Sequence, residues 1–269
     1  MESLKKRKRI LAFLFSLFTP GLGQIYNGQF KKGLSFLVGF DLVYLVFSFL
    51  LFNFYGMILY LMIMVGCFLF VLVDALQGTN KLKAITLKPF NKWYIYLIIF
   101  LLSNVAVLPL LRWTVKNNIA RAYKIPSSAM EPTLLVGDYL VADMRIYKSE
   151  KPKRGDIIIF EFPKDPSKDF IKRVIGLEDE KVEIIDNKIY INETLLDDPW
   201  GYVSAKYYPA LDTFGPVVVP KDSLFVLGDN RNNSQDSRFW GFVNIKKVRG
   251  KALYLYWAKN KSRIGMELK

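Results

Sequence analysis

Three short segments of this 269-residue chain concentrate side chains able to make and break bonds. The first, Ile125 to Asp138, reads Ile-Pro-Ser-Ser-Ala-Met-Glu-Pro-Thr-Leu-Leu-Val-Gly-Asp and carries two adjacent hydroxyls, Ser127 and Ser128. The second, Phe170-Ile171-Lys172-Arg173-Val174-Ile175-Gly176-Leu177, sets a lysine among apolar residues. The third, Gly228 to Gly241, reads Gly-Asp-Asn-Arg-Asn-Asn-Ser-Gln-Asp-Ser-Arg-Phe-Trp-Gly and adds Ser234, Asp236 and Arg238. Hydroxyl, amine and carboxylate together can perform nucleophilic and acid–base hydrolysis. The chain has no histidine, which removes Ser-His-Asp triads, Cys-His pairs and histidine-based zinc sites. A side-chain base must then be a lysine, aspartate, glutamate or tyrosine. Taken singly, the segments also have plain readings as a loop, a solvated strand edge and a turn.

The elements that must hold these segments are of two kinds. Residues 1–113 are dominated by Leu, Phe, Ile, Val and Tyr, with charges at the ends of apolar runs. A transmembrane helix needs about 20 apolar residues to cross a ~30 Å hydrocarbon core, and Gly33 to Phe54, Tyr55 to Leu76 and Tyr94 to Leu111 qualify. Ile10 to Tyr26 is shorter and contains Pro20-Gly21-Leu22-Gly23, which suits a reversal, so it is expected to be a re-entrant or interfacial hairpin. Basic residues cluster at Lys5 to Arg9, at Lys31-Lys32, and at Lys81, Lys83, Lys88 and Lys92. With three crossings all these clusters face the cytoplasm and the chain after Thr114 lies outside; a fourth crossing would return it to the cytoplasm, so charge favours three. No small-residue cleavage site follows the first apolar segment, which therefore does not read as a cleaved signal peptide. Asp41 and Asp74 fall in or near these segments and invite functional or structural readings. The lone Cys67 lies in an apolar run and reads as a small buried hydrophobe; no disulfide within the chain is possible.

From Thr114 the pattern changes to short apolar runs broken by Gly, Pro, Asp and Asn: Tyr139 to Ala142, Asp156 to Phe162, Lys181 to Ile185, Lys188 to Ile191, Ser223 to Leu227 and Lys251 to Trp257. These predict a mainly-β domain over residues 114–269, with an inserted subdomain over about 178–221 whose Trp200, Tyr202, Tyr207 and Tyr208 could be surface or core. The formal charge of +14 comes from residues at membrane flanks and scattered among acids, with no aromatic-interleaved basic stripe. That distribution suits a bilayer with anionic lipids and not nucleic acid.

Read together, the three segments resemble the bacterial type I signal peptidases, membrane-anchored Ser/Lys proteases, over roughly Tyr123 to Trp257. Pro20 to Gly33 also resembles the short membrane hairpin module called TM2, which implies no activity. The larger resemblance implies a multi-pass α-helical membrane anchor followed by a mainly-β signal-peptidase-type catalytic domain in the bacterial cytoplasmic (inner) membrane, with the peptidase domain on the outer or periplasmic face. It implies precursor proteins with signal peptides as substrates, cut after small residues of Ala-x-Ala type, and neither metal nor organic cofactor. By the same resemblance Lys172 is the general base and Ser234 holds its amine through a hydrogen bond. Asp236 and Arg238 form an ion pair bracing their loop, Gly228 and Asp229 support it, and the Ser127 hydroxyl with the N–H of residue 129 forms the oxyanion hole. Physical chemistry makes a demand on the lysine: with an ordinary pKa near 10.4 only about one in 250 is neutral at pH 8, so the site must desolvate it.

The departure from the family is Ala129, where the pattern before Met130-Glu131-Pro132-Thr133 places the nucleophilic serine. Three accounts are open: a nucleophile shifted to Ser128 or Ser127, an inactive or feeble form that binds signal peptides, or a serine replaced by Ala129 to trap substrate. In an extended segment Ser128 would point away from Lys172, unless the backbone bends, and Ser127 would lie about 6 to 7 Å from position 129. Two rivals stand further off: a non-catalytic membrane receptor for signal peptides, and a self-cleaving repressor-type protein, which would lack its DNA-binding partner domain here.

Overall fold

The computed structural model describes residues 4–81, 85–203 and 212–268, so Lys83, Tyr207 and Tyr208 lie outside the described residues. The chain divides into two compact units, residues 1–51 with 55–117, and residues 52–54 with 118–269.

The first unit opens on α1 (Arg9–Phe18), which reverses into the short α2 (Leu22–Tyr26). It continues in α3 (Phe30–Phe47), α4 (Phe54–Lys81), and α5 (Trp93–Leu101), which passes through a π-helical turn at Leu102–Val107 into α6 (Leu108–Asn118). Strands β1 (Leu4–Lys5) and β2 (Ile85–Thr86) pair antiparallel. Three helical stretches, Phe30–Phe52, Phe54–Thr79 and Trp93–Asn118, are long and apolar enough to cross a bilayer. The helices α1 and α2 are each far shorter than a crossing requires.

Close packing explains the glycine-rich reversal. Gly21 has φ +91°, and a Cβ there would fall 2.1 Å from the Gly33 carbonyl oxygen, so only glycine admits this approach of α2 to α3. Buried amides then tie α2 to α4: Gln24 Nε2 donates to Val71 O at 2.8 Å and to Asp74 Oδ2 at 3.2 Å, and Asn27 Nδ2 donates to Ala75 O at 2.8 Å. Lys32 pairs with Asp74 at 2.5 Å, which gives that carboxylate a structural tether, whereas Asp41 makes no ion pair among the described residues. Cys67 is half-buried in α4.

In the second unit a seven-stranded sheet runs in the order β12-β11-β6-β5-β13-β4-β3, with β3 (Ala120–Lys124), β4 (Tyr139–Asp143), β5 (Ile157–Phe162), β6 (Asp165–Gly176), β11 (Ser223–Leu227), β12 (Val243–Asn244) and β13 (Val248–Trp257). A separate four-stranded sheet, β10-β7-β8-β9, is built from β7 (Lys181–Ile185), β8 (Lys188–Ile191), β9 (Thr194–Leu195) and β10 (Phe214–Val218). Strands β5 and β11 are apolar and buried almost throughout, which marks them as interior to their sheet. One core gathers Leu134, Leu140, Ile157, Ile159 and Leu255; another, Ile175, Val182, Ile184 and Phe225, joins the smaller sheet to the larger.

The β region starts later than the composition change at Thr114 suggests. Helix α6 runs on to Asn118, and in its last turns Thr114 Oγ1 and Asn117 Nδ2 bond to the carbonyls of Leu110 and Trp113 one turn earlier.

Candidate active site

Lys172 enters the site from β6, where it pairs with Ile158 of β5 across a central, apolar part of the sheet. Successive strand residues face opposite ways, and here that alternation separates two cations. Lys172 turns into a cleft of roughly 420 Å³, and Arg173 turns into the protein behind it. The cleft is lined by Ser127, Ser128, Ala129, Phe170, Lys172 and Ser234, among others. Lys172 is only 4 % exposed, and its Nζ lies 5.8 Å from the Phe170 ring centre. Burial pulls its ammonium down to about 8, against the carboxylates of Asp236 and Asp229, which push it up; Arg238 adds to the lowering. The amine is thus half neutral near pH 8, as a general base must be.

Arg173 is fully buried and holds Asp229 by both oxygens, Nε to Oδ1 at 2.8 Å and Nη2 to Oδ2 at 2.7 Å, while Nη1 donates to Gly155 O at 2.7 Å. Asp229→Ala is expected to cost about 3 to 5 kcal/mol of unfolding free energy, by removing the carboxylate that both Nε and Nη2 of the fully buried guanidinium hold. Denaturant unfolding of the detergent-solubilised protein measures it, and a loss below about 1 kcal/mol would show the pair to be dispensable.

The loop after β11 brings the remaining groups. Arg238 Nε donates to Asp236 Oδ1 and Nη2 to Oδ2, both at 2.8 Å, in a buried ion pair. Asp236 also caps α7 (Ser237–Trp240) and accepts from the Gly228 N–H at 3.2 Å. Gly228 is required by proximity, because a Cβ there would lie 2.2 Å from Ser234 Oγ and 2.3 Å from Ala129 O.

One condition left open by the sequence is met, and one expectation is corrected. The backbone bends at Ser127–Ala129: residues 127–134 turn, with Glu131 N–H donating to Ser128 O at 3.1 Å and Leu134 N–H to Met130 O at 2.8 Å. The alternation that would send Ser128 away therefore does not apply, and Ser127, Ser128 and Ala129 all line one cleft. Ser234 does not bond Lys172; among the described residues its buried Oγ has no hydrogen-bond partner, and it is tucked against Gly228.

Sequence reasoning missed the asparagines. Asn230 donates its N–H to Ala129 O at 3.2 Å and its Nδ2 to Ser128 O at 3.1 Å, and Asn233 Nδ2 donates to Ser128 Oγ at 2.9 Å. Asn230 and Asn233 pin the serine-bearing turn to the loop of Ser234, and the Ser128 hydroxyl lies on Asn233 and not on Lys172. The N–H of Ala129 makes no hydrogen bond among the described residues. A dense run of Asn in a loop of acids and arginines was the available signal. Trp200, left open between surface and core, is part-buried with its ring 4.8 Å from the Arg173 guanidinium, and Tyr202 is exposed.

Comparison with known proteins places these residues in a wider set. The profile of the family described as "Signal peptidase, peptidase S26" matches residues 94–257, which include all three segments of the cleft. The chain is 42 % identical over 149 residues to a probable signal peptidase I-2 of Synechocystis, covering 53 % of this chain and 66 % of that protein. It is 34 % identical over 200 residues to a signal peptidase I of Aquifex aeolicus, covering 54 % and 78 %. A crystal structure of a signal peptidase I from Enterococcus faecalis aligns at 36 % identity and a TM-score of 0.34, over 38 % of this chain and 97 % of that one. A profile match spanning more than half of the chain, and every segment that builds the cleft, shows that the chain belongs to the signal peptidase family, peptidase S26.

Proposed function

We propose that this chain is a membrane-bound serine endopeptidase that removes N-terminal signal peptides from exported proteins after small residues of Ala-x-Ala type. Lys172 acts as general base, Ser128 or Ser127 as nucleophile, and the Ala129 N–H with the Ser127 hydroxyl as oxyanion donors. Supporting this reading above all is one observation: Lys172, buried and held near neutrality, opens into the same cleft as the Ser127–Ala129 turn. Ser234 packs beside Ala129 O through Gly228, and Asp236 with Arg238 braces their loop. The three long apolar helices would cross the cytoplasmic membrane and set the β domain on its outer or periplasmic face, where precursors emerge. Their basic flanks favour anionic lipid.

A second reading is favoured by Ala129 and by the Ser128 hydroxyl lying on Asn233: the chain binds signal peptides and cuts them feebly or not at all. The two readings part in one experiment. The detergent-solubilised chain is incubated with an Ala-x-Ala precursor, alongside Ser128→Ala and Ser127→Ala. The first reading expects release of mature protein, falling at least about 100-fold in one of the variants. Release that neither variant alters would exclude Ser127 and Ser128 as the required nucleophile, and binding without release would establish the second reading.

A further inference from the structure

The segment Asp198–Tyr202 leaves the smaller sheet after β9 and lines none of the cleft, yet it is bonded to the loop that does. Asp198 receives both terminal nitrogens of Arg231, with Nη2 to Oδ1 at 3.0 Å, and the Arg231 side chain is 5 % exposed. Arg231 Nε in turn donates to Gly228 O at 3.0 Å. The backbones are stitched together as well: Tyr202 N–H donates to Asp229 O at 2.7 Å, and Arg231 N–H donates to Tyr202 O at 2.9 Å. Trp200 lies over the Arg173 guanidinium and against Gly155, where a Cβ would stand 2.9 Å from its ring. From the same four residues, Gly228 to Arg231, the contacts run on to the residues that line the cleft: Asn230 holds Ser128 and Ala129, and Gly228 backs Ser234.

We infer that Asp198 and Trp200 are positioning residues, which fix Gly228–Arg231 from behind and thereby set both the Ser128–Ala129 turn and the dry enclosure of Lys172. The mechanism is mechanical and dielectric. A loop held on one face alone can move by the width of a water molecule, and a gap of 1 Å at a reacting group is enough to misplace it. Trp200 also caps the Arg173–Asp229 pair, so its loss would admit water along the back of β6, one residue from Lys172. The charged groups acting on Lys172 are Asp236 and Arg238 from the loop and α7, and Asp229 from the end of β11. Two of those, Asp229 and Arg238, bond to residues the segment holds: Tyr202 to the first, Arg231 O to the second at 2.7 Å. The inserted sheet is thus coupled to the chemistry of the cleft without touching it.

The test reads the lysine itself and needs no turnover. The full chain in detergent is labelled with a trace of an amine-acylating reagent between about pH 6 and 11, and the Lys172 peptide is quantified by mass spectrometry. In Trp200→Ala and in Asp198→Asn the pH of half-maximal labelling is expected to rise by one unit or more, leaving about tenfold less reactive amine at pH 7. Trp200→Phe, which keeps an apolar ring over Arg173, is expected to restore most of that shift. Readings are taken on variants that still unfold cooperatively, and Asp198→Asn, which keeps the side-chain shape, serves if Trp200→Ala does not fold. An unchanged midpoint in the folded variants overturns the inference. The inference rests on Lys172 as the working amine of the cleft, and that premise has its own failure: a midpoint near 10.4 in the unaltered chain would sink it whatever the variants do.

Discussion

Lys172→Met is expected to reduce precursor cleavage about 1,000-fold, while making the protein more stable at neutral pH. Both effects come from one cause. Methionine matches the length and apolar stem of lysine but carries no proton-accepting amine, and among the residues lining the cleft Lys172 is the one amine. The stability effect follows from linkage. Folding lowers this lysine from its ordinary 10.5 to about 8, so between those values the unfolded chain binds the proton and the folded chain does not. Stability contributed by the group therefore rises with pH across that window. At pH 7, below it, the buried ammonium costs about 3 kcal/mol, which the methionine variant regains; above about 10.5 the advantage disappears. Cleavage by the unaltered chain should rise nearly tenfold per pH unit up to about 8 and then level off. Thermal unfolding at pH 7 and at pH 10.5, with cleavage measured in parallel, checks both halves. Full activity in the variant would exclude Lys172 as base, and a loss of stability at pH 7 would mean the amine is better solvated than its 4 % exposure implies.

Lys172 illustrates how far the sequence can be read. Its apolar neighbours and the strand it sits on follow from local pattern and from resemblance, because each is a property of a few consecutive residues. Strands Lys181–Ile185, Lys188–Ile191 and Ser223–Leu227 fall where alternation and turn residues put them, for the same reason. What stays hidden is pairing across distance. Arg173 reads as a solvated strand residue until Asp229, 56 residues on, is folded against it, and Arg231 acquires Asp198 from 33 residues away. The turn at Ser127–Ala129 was hidden differently. The alternation rule that served for β6 fails there because the carbonyls of Ser128 and Met130 are taken up by N–H groups a turn ahead, and no periodicity of side chains announces that. The contacts of Asn230 and Asn233 share this limit: an asparagine-rich loop says that backbone groups will be bonded, but not whose.

On the reading that the chain binds signal peptides and cuts them feebly, Ala129→Ser is expected to raise cleavage at least about 1,000-fold over the unaltered chain, since deleting a nucleophile from an otherwise intact hydrolase costs about that much or more. The site is ready for the hydroxyl. The backbone of residue 129 is fixed by the Asn230 N–H on its carbonyl, and its side chain opens into the cleft shared with Lys172, so one added oxygen requires no movement of the chain. Two groups lack the partner it would bring: Lys172 Nζ makes no hydrogen bond among the described residues, and Ser234 Oγ, buried beside Ala129 O, has none. A serine hydroxyl there would lose its proton to a lysine half neutral at pH 8, attack the scissile carbonyl carbon, and leave the oxyanion to the N–H of residue 129; the resulting ammonium would return the proton to the departing amine. Equal cleavage by the two proteins would mean instead that Ser128 or Ser127 already serves, which requires Ser128 to release Asn233 or Ser127 to reach the amine. No cleavage by either would mean that the buried amine is kept for binding precursors, and that the enclosure around Lys172 serves recognition rather than proton transfer.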